Sequence, residues 1–171
     1  MTTSNLLDQN LLLIIDGNQD DYIIDTVNYW ASQGYKYKKF NLKDQDQIIQ
    51  TLKETVYSSI LINLNNRPNF IFNFISTIKK ITASPIIILA NKDEKDSLFD
   101  PLYQEIYLFI EKPFKPALLF LTIRNAHQVY QLKEKITTLF NSLVESNKKI
   151  EEGNKQLREI EDKIDLLLSL R

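Results

Sequence analysis

Residues 11–124 alternate short apolar runs with amphipathic segments, and this alternation narrows the possible folds more than any other feature of the chain. Leu11–Ile15 is a continuous apolar run ending at Asp16-Gly17. It is too short for a core helix and reads as a strand buried on both faces. Ser59–Asn63 (SILIN) and Pro85–Ala90 (PIIILA) read the same way, and Ile106–Ile110 (IYLFI) supplies a last strand. Residues 35–40 (YKYKKF) alternate aromatic with basic side chains, as an edge strand does. Helices are predicted between these strands. The first spans 20–33, with Tyr22, Ile23, Thr26, Val27 and Trp30 on its apolar side and Gly34 as its stop. The second spans 44–56, with Ile48, Ile49, Leu52 and Val56 on one face. A third runs from Pro68 to about Ile81, a weak one over 93–104 is interrupted by Pro101, and another opens near Pro116 at a first-turn position. Five strand–helix alternations imply an α/β fold, a parallel sheet with right-handed connections and helices on both faces. Ligands and chemistry then belong at the carboxyl ends of the strands. The positions to interrogate are Asp16, Gly17, Asn63, Ala90, Asn91 and Lys112.

Composition removes several classes of function. With no cysteine there is no disulfide, thiol nucleophile or Cys-ligated zinc, and one histidine, His127, makes no multi-His metal site. Twenty-one basic against 22 acidic residues leave a net charge of −1, with no electrostatic footprint for nucleic acid or an anionic membrane. The start, MTTSNLLDQN, has no basic leader, and no apolar run approaches the ~20 residues of a membrane span. The expectation is a cytoplasmic protein with no cofactor and no metal. Asn91-Lys92-Asp93-Glu94 is close to the base-reading element of GTPases, but the acid there is Glu94 and the chain has no GxxxxGK loop and only three glycines. Nucleotide hydrolysis is not expected.

Four pieces in order resemble the receiver domain of two-component response regulators: LLLIIDGNQDD, SSILINLNNRP, SPIIILANKDE and YLFIEKPFKP, which look like its first, third, fourth and fifth strands. The resemblance covers residues 11–124 and implies a flavodoxin-like (βα)5 doubly wound sheet. It also implies a chemistry in which an aspartate attacks phosphorus while Mg²⁺ neutralises the developing charge. That ion wants several hard carboxylate oxygens. Asp16 matches the first of the family's acidic pair and Lys112 its strand-end lysine. Gly17 stands where the second acid belongs, Asn63 at the phosphoacceptor and Ala90 at the switching hydroxyl. A neighbouring register for the third strand offers Leu64 or Asn65, neither of them an acid. An amide forms no acyl phosphate, and one carboxylate is a poor Mg²⁺ cage. Asp16 and Lys112 are expected to pair with each other. The resemblance places a partner-binding face around Phe109, Pro113 and Phe114, with Phe109 near the family's aromatic switch.

From about residue 117 onward there is no proline and one glycine, Gly153. Taking Val129 as a, the a positions are Val129, Ile136, Leu143, Ile150, Leu157 and Ile164, and the d positions Leu132, Leu139, Ser146, Gly153, Ile160 and Leu167. Ten of these twelve are apolar, which is a coiled-coil seam. The domains are then a receiver-like domain over 1–124 and a coiled-coil helix over 125–171. β-branched Val129 and Ile136 at a, with Leu132 and Leu139 at d, favour a parallel two-stranded coil. Charges at e and g, including Lys133, Lys135, Lys149, Glu161 and Lys163, leave orientation open, and a hairpin at Glu152–Asn154 is the rival arrangement.

The functional expectation is a non-enzymatic, phosphorylation-independent pseudo-receiver. It would act as a homodimeric adaptor or scaffold for another signalling protein, whether kinase, receiver or output protein. The alternative is a sensory module that binds a small ligand or ion in the altered pocket of Asp16, Gly17, Asn63, Ala90 and Lys112 and signals through the coil.

Overall fold

The structure, a computed structural model, describes residues 11–17, 21–65, 70–95 and 106–170. Two compact units divide between Tyr130 and Gln131. In the first, β1 (Leu11–Asp16), β2 (Lys36–Asn41), β3 (Ser59–Asn63), β4 (Ile86–Ala90) and β5 (Leu108–Glu111) form one sheet in the order β2-β1-β3-β4-β5. Each of its four strand pairings is parallel. Helices α1 (Asp21–Ser32), α2 (Gln45–Glu54) and α3 (Ile71–Ile81) alternate with the strands, and α4 runs unbroken from Pro116 to Ser169. The doubly wound parallel sheet is therefore the architecture the alternation predicts, with a long helix following it.

Burial follows the strand period of two. Leu13, Ile15, Ile60, Ile62, Ile86 and Ile88 point to one face and pack with Ile48 and Leu52 of α2 and Phe74, Ile75 and Ile78 of α3. Leu12, Ile14, Leu61, Ile87 and Leu89 point to the other, against Ile23, Val27 and Trp30 of α1 and Leu119, Ile123 and Ala126 of α4. Because both faces are covered, the inner strands need apolar residues at every position, and the runs are continuous for that reason.

Some local expectations differ. α2 stops at Glu54, so Val56 leaves its apolar face and is exposed, and Thr51 is buried on the helix instead. The space beside the strand is taken by Tyr57, which is fully buried. Residues 92–95 are helical, while the rest of the helix expected over 93–104, with Pro101, lies outside the described residues, as do Pro68 and the side chain of Tyr22. Among the described residues no helix is long and apolar enough to cross a membrane.

In the second unit, helix α4 passes through residues 152–154 without interruption, so the hairpin does not form. Gly153 sits in that helix with nothing within 4 Å of the place its Cβ would occupy. All ten apolar seam residues, Val129, Leu132, Ile136, Leu139, Leu143, Ile150, Leu157, Ile160, Ile164 and Leu167, are 37–69% exposed.

Candidate functional site

The parallel register sets the strand ends side by side. Asp16 is level with Asn41 on β2 and Asn63 on β3, and Ala90 is level with Glu111. Backbone bonds continue past the strands: Gly17 N–H donates to Asn63 O at 2.8 Å, Leu64 N–H to Leu89 O at 2.8 Å and Lys112 N–H to Ala90 O at 2.9 Å. Asp16, Gly17, Asn63, Ala90 and Lys112 thus gather at one end of the sheet, as the sequence predicts. Asn63, not Leu64, takes the site position. The alternation puts Asn63 on the face of Asp16, while Leu64 turns to the opposite face and is buried in the core.

Asp16 is only 3% exposed, and a carboxylate that deep requires partners. One is the amide of Asn63, whose Nδ2 donates to Asp16 Oδ1 at 2.8 Å. Another is Lys39, whose Nζ lies 2.7 Å from Asp16 Oδ2. Lys39 stands level with Ile14 on β1 and reaches two residues along the same face to Asp16. Lys112 stays at the strand ends, and its Nζ donates to the carbonyl of Leu64 at 2.6 Å. Lys39 was missed as a site residue. The available signal is the break in the alternation of YKYKKF: Lys36 and Lys38 share one face, and Lys39 falls on the other with Asn41.

Gly17 has a steric reason to be glycine. A Cβ there would lie 2.9 Å from Asn63 O and 3.1 Å from Leu42 Cδ2. The loop after β1 is pressed against the end of β3, and a second acid does not fit without movement of the backbone. Asn63 is fully buried, and its Oδ1 accepts no hydrogen bond from the described residues. Ala90 is fully buried and offers no hydroxyl.

The donor set does not fit the Mg²⁺ that the receiver resemblance implies. Among the described residues it holds one carboxylate, already opposed by an ammonium, one amide and a glycine. Among the described residues no three His, Cys, Asp or Glu side chains group to hold a metal ion. Phe109 and Phe114, expected on a partner-binding face, are core residues at 8% and 7% exposure, and of the three only Pro113 is exposed. Their rings fill the space beside β5 on opposite faces of the sheet. Asn91-Lys92-Asp93-Glu94 has a structural role: Glu94 Oε2 accepts the Asn91 N–H at 2.8 Å, closing the first turn after β4 as in a capping box.

No protein-family profile matches the chain. No curated protein sequence matches it either. Solved structures do match. An adenylate cyclase from Rhodopirellula baltica superposes with a TM-score of 0.65 at 14% identity, over 77% of this chain and 97% of its own. NtrX from Brucella abortus, in complex with ATP, gives 0.63 at 19% identity over 75% of this chain, which spans only 29% of the NtrX chain. The receiver domain of NtrC4 from Aquifex aeolicus gives 0.58 at 22% identity, over 71% of this chain and 98% of that domain. At such identities the likeness shows the fold alone, and the cyclase brings no activity with it. The chain has the receiver fold of response regulators, followed by a 54-residue helix.

Proposed function

We propose that the chain is a phosphorylation-independent pseudo-receiver in two-component signalling, working as a dimeric adaptor for another signalling protein. The observation that carries this reading is the Asn63 amide at the phosphoacceptor position, bonded at 2.8 Å to a buried Asp16. An amide nitrogen has its lone pair delocalised into the carbonyl and does not attack phosphorus, and an amide oxygen gives no stable acyl phosphate. Gly17 adds no second acid, and Ala90 adds no hydroxyl to follow a phosphoryl oxygen. Each loss alone disables part of the chemistry, so restoring one residue does not restore the reaction.

The dimer is supported by the seam, whose residues are exposed along an unbroken helix. A helix apolar along a 3.5-residue stripe and polar elsewhere is stabilised by a second helix on that stripe. A second copy of this chain carries the same stripe, and the choice of β-branched residues at a with Leu at d favours two parallel strands. The signalling partner then meets a pair of receiver-like units whose state does not depend on a phosphoryl donor.

The test is phosphorylation itself. Acetyl phosphate, or beryllofluoride with Mg²⁺, is expected to give no adduct by intact mass and no change in tryptophan fluorescence, read from Trp30. A hydroxylamine-labile phosphoprotein would overturn the proposal.

A further inference from the structure

We infer that Lys39 is a built-in counter-ion, an ammonium tethered on β2 that takes the place beside Asp16 which a divalent cation takes in receiver chemistry. The inference deepens the phosphorylation-independent reading and rests on it. Three separate observations converge. The ammonium lies 2.7 Å from Asp16 Oδ2, and the carboxylate it neutralises is 3% exposed. The β1–β2 register puts Lys39 and Asp16 on one face, two residues apart along the strand, so the pair is fixed by the sheet and not by a loop. The neighbouring positions offer no further anion: Asn63 gives its amide hydrogen to Asp16 Oδ1, and a side chain at Gly17 would run into Asn63 O at 2.9 Å.

The consequence is electrostatic. A hard dication competes for Asp16 with a covalently tethered cation, and among the described residues it finds no cluster of carboxylates in exchange. The strand-end charge is therefore balanced within the chain, in the same way whether or not magnesium is present. A buried carboxylate with its partner removed is strongly unfavourable, whereas an apolar or neutral pair at the same positions is tolerated. That asymmetry gives the inference a signature that simple surface lysines lack.

The experiment is denaturant unfolding of the full chain and its variants. Lys39→Met keeps most of the stem and removes the charge. It is expected to lower the folding equilibrium constant by at least about thirtyfold. Adding Asp16→Asn in the same chain should recover most of that loss, because no charge is then stranded. Lys39→Arg, which keeps a cation, should stay within about fivefold of the unmodified protein and keeps the test open if the methionine variant does not fold. About 10 mM MgCl₂ should leave the unmodified midpoint where NaCl of equal ionic strength leaves it. Lys39→Met within twofold of the unmodified protein would overturn the inference, as would a midpoint raised by magnesium beyond the salt control. Neither arm contains a phosphoryl donor, so a failure here is distinct from the appearance of a phosphoprotein.

Discussion

Replacing Ile136 and Leu139 together by aspartate should convert the proposed dimer into a monomer whose receiver-like unit remains folded. The two side chains are 65% and 69% exposed in the single chain. Burying a whole Leu or Ile side chain is worth roughly 1.5–3 kcal/mol, so covering two thirds of each is worth about 1–2 kcal/mol. A two-stranded seam buries both positions on both helices, four side chains in all, for about 4–8 kcal/mol. At 1.4 kcal/mol per factor of ten, the substitutions raise the dissociation constant by roughly 10³- to 10⁶-fold before any charge is desolvated. Four carboxylates facing one another in an apolar seam add to that. Light scattering of the full chain at micromolar concentration should give the mass of two chains for the unmodified protein and of one for the variant. The variant's far-ultraviolet dichroism should lose helix signal while its urea midpoint for Trp30 fluorescence stays in place. Gly153→Ala supplies the opposite sign, since its Cβ meets nothing within 4 Å and Ala is worth about 1 kcal/mol over Gly in a helix interior. A monomer mass for the unmodified protein would refute the reasoning outright, because no fold-back at 152–154 exists to cover the stripe within one chain.

Gly17→Ala should destabilise the receiver-like unit by about 1–3 kcal/mol in denaturant unfolding, because the new methyl must displace the Asn63 carbonyl 2.9 Å away; a neutral result would mean that the β1 loop yields freely. His127 has its pKa lowered below 6.5, chiefly by burial, with a hydrogen bond to the Ser58 backbone acting in the other direction. The unfolded chain then binds the proton more readily, so stability is level above about pH 6.5, falls as the pH drops below it and levels off once the folded imidazole also protonates. His127→Gln should remove that slope from unfolding measurements between about pH 5 and 7, and an unchanged slope would assign it to other groups.

The sequence disclosed the sheet because both of its faces are covered. Continuous runs such as SILIN and PIIILA have no alternation to misread, and their ends fall within a residue or two of β3 and β4. The strand-end positions followed for the same reason: once a parallel sheet is inferred, Asp16, Asn63, Ala90 and Lys112 sit at neighbouring ends whatever the helices do. Val56 shows where this logic weakens. Its spacing fits the face of α2, but the helix yields to the strand entry at Tyr57, a tertiary choice that no helical period carries.

The pairing inside the pocket depended on a different kind of information. Opposite charge at neighbouring strand ends says that Lys112 and Asp16 lie close, but not which other partners each of them takes. Asn63 places an amide donor next to Asp16, and the Lys112 ammonium donates to the Leu64 carbonyl. Asp16 takes a cation from β2, and which lysine of YKYKKF supplies it is decided by register. Lys38 faces the opposite side of the sheet, where its Nζ lies 5.1 Å from the centre of the Phe40 ring, and Lys39 faces Asp16. A shift of one residue in the β1–β2 pairing would exchange them. The register is held by the buried face of β1 and by Leu42, whose N–H donates to Asp16 O and whose side chain closes over the place of a Gly17 Cβ. The glycine that excludes a second acid and the lysine that replaces a metal are thus fixed by one packing arrangement, so reversing either substitution alone leaves the other in place.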